Sequence, residues 1–112
     1  RITAIDGDAT PSVADLYPGV PGVLVFQDIA NDYSVTDLDD AEPYQIVTLV
    51  NMDPNNTVTF TQTKAVLVGG NWIGNVYDTL TLIKTSTSDY WVELSRAANA
   101  GRSSSRYPVE YS

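Results

Sequence analysis

Three groups of residues carry side chains able to do chemistry. The first is an acidic run, Asp28, Asp32, Asp37, Asp39, Asp40 and Glu42, within fifteen residues. Hard cations take several carboxylate oxygens, but the Asp-Leu-Asp-Asp spacing lacks the glycine and glutamate positions of the twelve-residue calcium loop. A pair of carboxylates astride a scissile bond would be a glycosidase. A solvated acidic loop that keeps the particle soluble explains the same residues with fewer requirements, and is preferred. No metal site and no cofactor is expected.

The second group is aromatic: Trp72, Tyr77, Tyr90 and Trp91. Flat rings with a polar edge suit the apolar faces of sugars. Trp91 alternates with Val92 and Leu94 and shares its face with Glu93 and Ser95, which predicts a subunit contact rather than a purely core-directed ring. Trp72, set between Gly70 and Gly74, is the better candidate for an exposed ligand contact. The expected ligand-binding residues are therefore Trp72, Tyr77 and Trp91.

Glu93 and Arg96 form the third group. A guanidinium clamps a carboxylate through two parallel hydrogen bonds. On a lone sheet such a pair is worth less than about 1 kcal/mol, whereas between chains it sets register. Trp91, Glu93 and Arg96 are the expected oligomer contacts.

Other chemistries lack their residues. The chain has no His and no Cys, which removes Ser-His-Asp triads, Cys nucleophiles, disulfides and zinc sites built on those ligands. Lys64 and Lys84 have no motif around them to activate a serine, and no phosphate-binding glycine loop is present. No catalytic residue is assigned. A net charge of −8 argues against nucleic acid, and no apolar run approaches the roughly 20 residues that span a bilayer. The sequence begins at Arg1 without a visible signal peptide, which reads as a piece of something longer.

These residues must be positioned by strands. Of the 112 residues, 31 are Val, Ile or Thr, types that fit a pleated surface, while seven Gly and six Pro supply turns. Apolar residues alternate over 57–62, with Val58 and Phe60 on one face, and over 79–84, with Leu80 and Leu82 inward. Segments 45–51 and 65–68 are apolar on both faces, which predicts burial on both sides, within the subunit or against another chain. Segments 23–27, 34–38 and 90–95 complete the set. Turns at Asp53-Pro54-Asn55-Asn56, Gly69-Gly70-Asn71 and 85–89 predict a meander over 44–96. The organisation expected is an extended entry segment over 1–22, a β domain over 23–98 and a polar arm over 99–112. Charge is lopsided: ten acids and one base up to residue 63, four acids and five bases beyond.

The pieces also come in a recognisable order. They are Thr10-Pro11-Ser12-Val13, Gln45-Ile46-Val47-Thr48-Leu49-Val50 and Asn56-Thr57-Val58-Thr59-Phe60, followed by Leu67-Val68-Gly69-Gly70-Asn71, Asp78-Thr79-Leu80-Thr81-Leu82-Ile83 and Trp91-Val92-Glu93-Leu94-Ser95-Arg96. This order resembles the small β-module near the C-terminus of many bacteriophage tailspikes and tail fibres. One departure is Tyr77, where Gly is common before Asp78. The resemblance implies an all-β fold, a small antiparallel sandwich or prism-like module of short strands, as an intertwined homotrimer. It further implies a distal, extracellular place on the virion that meets bacterial surface polysaccharide, capsule or lipopolysaccharide. Any enzymatic centre would lie in a preceding β-helix, making the parent a capsule depolymerase. A monomeric secreted carbohydrate-binding module is the remaining alternative.

Overall fold

The computed structural model describes residues 1–16, 21–85 and 90–99. Among them are nine strands and no helix: β1 (Ile2–Thr3), β2 (Gly22–Phe26), β3 (Tyr33–Val35), β4 (Ile46–Asn51), β5 (Val58–Phe60), β6 (Ala65–Val66), β7 (Trp72–Gly74), β8 (Thr79–Lys84) and β9 (Trp91–Ala97). They make a six-stranded sheet, β1-β2-β4-β8-β9-β6, and a three-stranded sheet, β3-β5-β7.

The chain passes from the first sheet to the second three times, β2 to β3, β4 to β5 and β6 to β7, and the first two passages are like two coils of a solenoid. Gly22 lies beside Val47 and Tyr33 beside Val58, both in parallel pairs, so one step of 25 residues relates the coils in both sheets. Residues 1–16 add a partial coil below: β1 runs parallel to β2, Thr36 N–H donates to Ala9 O, and Ser12 bridges Asp39. The direction then reverses. β7 pairs antiparallel with β5 and β8 antiparallel with β4, and the sheets end at β7 and, beyond β9, at β6. The reversal ends the parallel coil repeat and leaves the short strands β7 and β6 as the sheet edges, and short edge strands limit further pairing.

The meander expected over 44–96 is thus corrected: of the consecutive strands there only β8 and β9 pair with each other, and the others alternate between the two sheets. Four of the seven strand pairings among the described residues are parallel. Each coil returns to the first sheet only after visiting the second, and a crossover of that kind brings a strand back parallel. The expected 85–89 turn and 99–112 arm fall almost wholly outside the described residues.

Alternation then decides what is buried. Leu24, Val47, Leu49, Leu80 and Leu82 point inward from the large sheet and Tyr33, Val35, Val58, Phe60 and Trp72 from the small one, all at most 5% exposed. Val13 and Leu16 from the first coil join the same core. The opposite face of the large sheet is unlike an ordinary solvated face. Register aligns Ile46, Ile83, Val92 and Val66 in one row across four strands, and Val23, Thr48, Thr81 and Ser95 in the next. No outward position of this sheet is charged.

The corner between β4 and β5 holds the coils together through buried polar groups. Asn51, fully buried, donates from Nδ2 to Asn56 O (2.8 Å) and Gly74 O (2.9 Å) and accepts Asp53 N–H at Oδ1 (2.8 Å). Asp53 accepts the N–H groups of Asn55, Asn56 and, from the coil below, Ile29. Asn56 Nδ2 returns to Ile29 O at 2.9 Å. One turn therefore satisfies both backbone groups of Ile29, as buried amides require.

Tyr33 does the same service one coil lower. Its hydroxyl reaches Ile5 O (2.7 Å) and Asp8 O, and its ring stands edge-on to Phe26 at 5.4 Å. Burial, with Asp8 nearby, pushes the phenol up to about 12. The raised value means that its stabilisation is complete below pH about 10 and is lost as pH rises toward 12. Tyr33→Phe is expected to lower the unfolding free energy by about 1 kcal/mol and to remove that alkaline loss, read by urea titration at pH 7 and pH 11.

Candidate functional site

The residues singled out in the sequence gather at the closed end of the stack, but not in the roles expected. Trp72 is 3% exposed. Its ring lies across Gly74, where a Cβ would come within 2.4 Å of it. The glycine that reads as loop flexibility is instead the floor under a core ring. Trp91 is fully buried, and its indole N–H has no hydrogen-bond partner. Both expected placements are corrected: neither ring presents a face to a ligand, and Trp91 cannot reach a second chain. Alternation sets Tyr90, Val92 and Leu94 against Trp91, Glu93 and Ser95, and it is the side of Trp91 and Glu93 that is buried. The larger apolar area of Trp91 wins the core, and Tyr90 (43%) and Leu94 (52%) are exposed. Leu94 stands unpaired where the β8–β9 register shifts. In 65–68, Ala65 and Leu67 are buried while Val66 (58%) and Val68 (84%) are exposed, so this segment is not buried on both faces within one chain.

Tyr77 is the one expected ligand residue with an accessible ring, at 55% exposure. It adopts φ of 68°, the left-handed conformation that glycine takes without strain. The turn before β8 thus holds a tyrosine in a conformation that favours glycine. Tyr77 N–H donates to Asn51 O, tying this turn to the buried corner.

Glu93 and Arg96 are brought together within one chain. Arg96 donates from Nε to Oε2 (2.9 Å) and from Nη2 to Oε1 (2.8 Å), the bidentate clamp. Glu93 Oε1 also accepts Val68 N–H (2.8 Å), and Arg96 Nη2 reaches Gly70 O (3.0 Å). The pair fastens the turn over 67–70 onto β9. The Glu93 side chain is 2% exposed and that of Arg96 31%, so the carboxylate depends on this partner. Glu93→Ala strands Val68 N–H and is expected to cost about 2 kcal/mol, measured as a lower urea midpoint.

Acid should act through the same groups. The Arg96 guanidinium holds the Glu93 carboxyl below its usual 4.5, and the N–H of Asn55, with those of Ile29 and Asn56, holds Asp53 below 3.8. Depressed values mean the stabilisation is full above the unfolded pKa and lost as pH falls through the folded one. The urea midpoint is expected to hold down to pH about 5 and fall below it, less steeply in Glu93→Gln.

Beside this clamp lies a groove of about 340 Å³ lined by Trp72, Ile73, Asp78, Arg96, Ala97 and Ala98. Ile73 is 60% exposed. Asp78 is buried there, its oxygens accepting Asn75 N–H (2.9 Å) and Asn99 N–H (2.7 Å). These two backbone donors let Asp78 hold the turn, and beside it the groove offers an aliphatic side chain, a guanidinium edge and, next in sequence to Asp78, the Tyr77 ring.

The acidic run takes up turn positions rather than converging. Asp32 accepts Thr57 N–H from the coil above, Asp37 accepts Leu38 N–H, and Asp40 accepts the Ser12 hydroxyl. Among the described residues no group of three or more potential ligands is placed to hold a metal ion. Comparison with protein-family models, curated proteins and solved structures finds no match.

Proposed function

We propose that this chain is a structural and recognition module: the distal part of a phage tail fibre or tailspike, which joins three chains and contacts host surface polysaccharide. The observation that carries this reading is the outward face of the large sheet, without a charge on a chain of net −8. The motif order described above supports the viral assignment, and the coiled, parallel architecture suits a fibre. Recognition would rest on many weak contacts repeated around the axis, since linked sites raise effective concentration. The Tyr77–Ile73–Arg96 end supplies such contacts.

Capsular polysaccharide and lipopolysaccharide immobilised on a surface test this reading. Retention is expected for the wild type and a large loss for Tyr77→Gly, which removes the ring at a backbone conformation glycine adopts freely. No retention of any surface glycan would contradict it, and shortening of the polysaccharide would favour a depolymerase. One observation favours the monomeric carbohydrate-binding module as a second reading. The chain closes a core of eighteen buried side chains by itself.

A further inference from the structure

We infer that Tyr44 and Tyr90 form a second platform for an extended polysaccharide, the two rings stacking on alternate sugars of one glycan chain. This rests on the polysaccharide-binding reading above and adds a site at the opposite end of β4 from Tyr77.

The backbone sets the two tyrosines on either side of the end of β8. Tyr44 N–H donates to Lys84 O and Lys84 N–H donates to Gln45 O, so two residues of one strand oppose a single residue of the next. That is a β-bulge, a device that re-aims a side chain at the end of a pairing. On the other side Thr85 N–H donates to Tyr90 O at 3.0 Å. Gln45 and Trp91, the residues that follow the two tyrosines, are buried, while Tyr44 is 63% and Tyr90 43% exposed.

Backbone strain singles out Tyr44. Among the described residues four non-glycine positions have positive φ: Asp28, Asp40, Tyr44 and Tyr77. Aspartate tolerates this region because its short side chain bonds locally, whereas a bulky ring does not. Tyr44 holds φ of 63° in a bulge position that glycine ordinarily fills. Its exposed ring gains too little from packing to offset the strain, and strain of this kind persists where a side chain must be presented. Tyr77, tied by its N–H to Asn51 at the far end of β4, repeats the combination of left-handed backbone and exposed ring.

Spacing identifies the ligand. Two strand spacings separate Tyr44 from Tyr90, about 10 Å. A protein partner would ask for a contiguous apolar patch at the centre of its contact. An extended β-linked glycan instead offers separate apolar faces, with alternate sugars turned the same way, and two pyranose rings span that interval. Each tyrosine supplies a flat apolar face with a hydroxyl at its edge.

Retention on immobilised capsular polysaccharide and lipopolysaccharide tests the platform, with urea midpoints measured on every variant. Tyr44→Gly and Tyr90→Ala are each expected to weaken retention about tenfold, the worth of one aromatic contact. Tyr44→Gly is expected to do so without lowering the urea midpoint, since glycine suits the bulge. Fragments of the retained glycan should compete from three sugars upward, and two sugars should compete poorly. Unchanged retention in both variants would overturn the platform and leave the polysaccharide reading standing, as would equal competition by two and three sugars. A lowered midpoint for Tyr44→Gly would show a structural ring and overturn it too. No retention of either glycan by the wild type would overturn both readings.

Discussion

Asn51→Ala is expected to lower the unfolding free energy by about 4 kcal/mol, since each buried backbone group left without a partner costs about 1–3 kcal/mol. Three such groups lose their partner at once: Asn56 O, Gly74 O and Asp53 N–H. They belong to two pieces of structure, the corner turn over 53–56 and the strand β7, which Asn51 joins at the end of β4. The residue therefore couples the coil to its closure. Asn51→Asp keeps the shape but puts a carboxylate against two carbonyl oxygens, and is expected to be at least as damaging at pH 7. Urea titration with a preserved m-value would report a stability loss, and a reduced m-value would report that the closed end has come away.

Gly74→Ala is the second large effect, at about 3 kcal/mol. The added Cβ would lie 2.4 Å from two carbons of the Trp72 ring, a distance at which one of them must move. The ring is buried, and Gly74 itself is paired with Val58 in the small sheet, so neither side yields cheaply. A smaller ring should relieve the conflict. The double variant Trp72→Phe/Gly74→Ala is expected to be less destabilised than the sum of its singles, with a coupling of about 1 kcal/mol or more. Strict additivity would show that ring and glycine do not meet.

How much of this was legible depends on the residue. Val58 and Phe60, and Leu80 and Leu82, lie in strands with one polar and one apolar face, and their inward placement follows from alternation alone. Trp91 belongs to a strand whose more apolar face, Tyr90, Val92 and Leu94, is not the buried one, because Glu93 on the other face is paired by Arg96 and the Val68 N–H. Trp72 was hidden by its glycines, because composition does not distinguish a glycine that bends from one that makes room. Glu93 and Arg96 were legible as a pair. What they hold, the 67–70 turn, depends on β6 lying beside β9, a contact distant in sequence. The coil repeat did leave a mark: Leu24-Val25 with Asp28 and Asn31 recurs as Leu49-Val50 with Asp53 and Asn56. It is thin because equivalent positions differ, Phe26 against Asn51 and Tyr33 against Val58. Those very differences build the buried corner above and the Tyr33 anchor below. A period read at 25 residues, rather than at two, would have predicted the parallel pairing.

The account turns on whether the uncharged sheet face finds a partner in its own kind. Sedimentation equilibrium of the wild-type chain at micromolar concentration tests that most directly. A particle of about three times the 12.2 kDa chain mass is predicted. A 12.2 kDa particle persisting as concentration rises would contradict it.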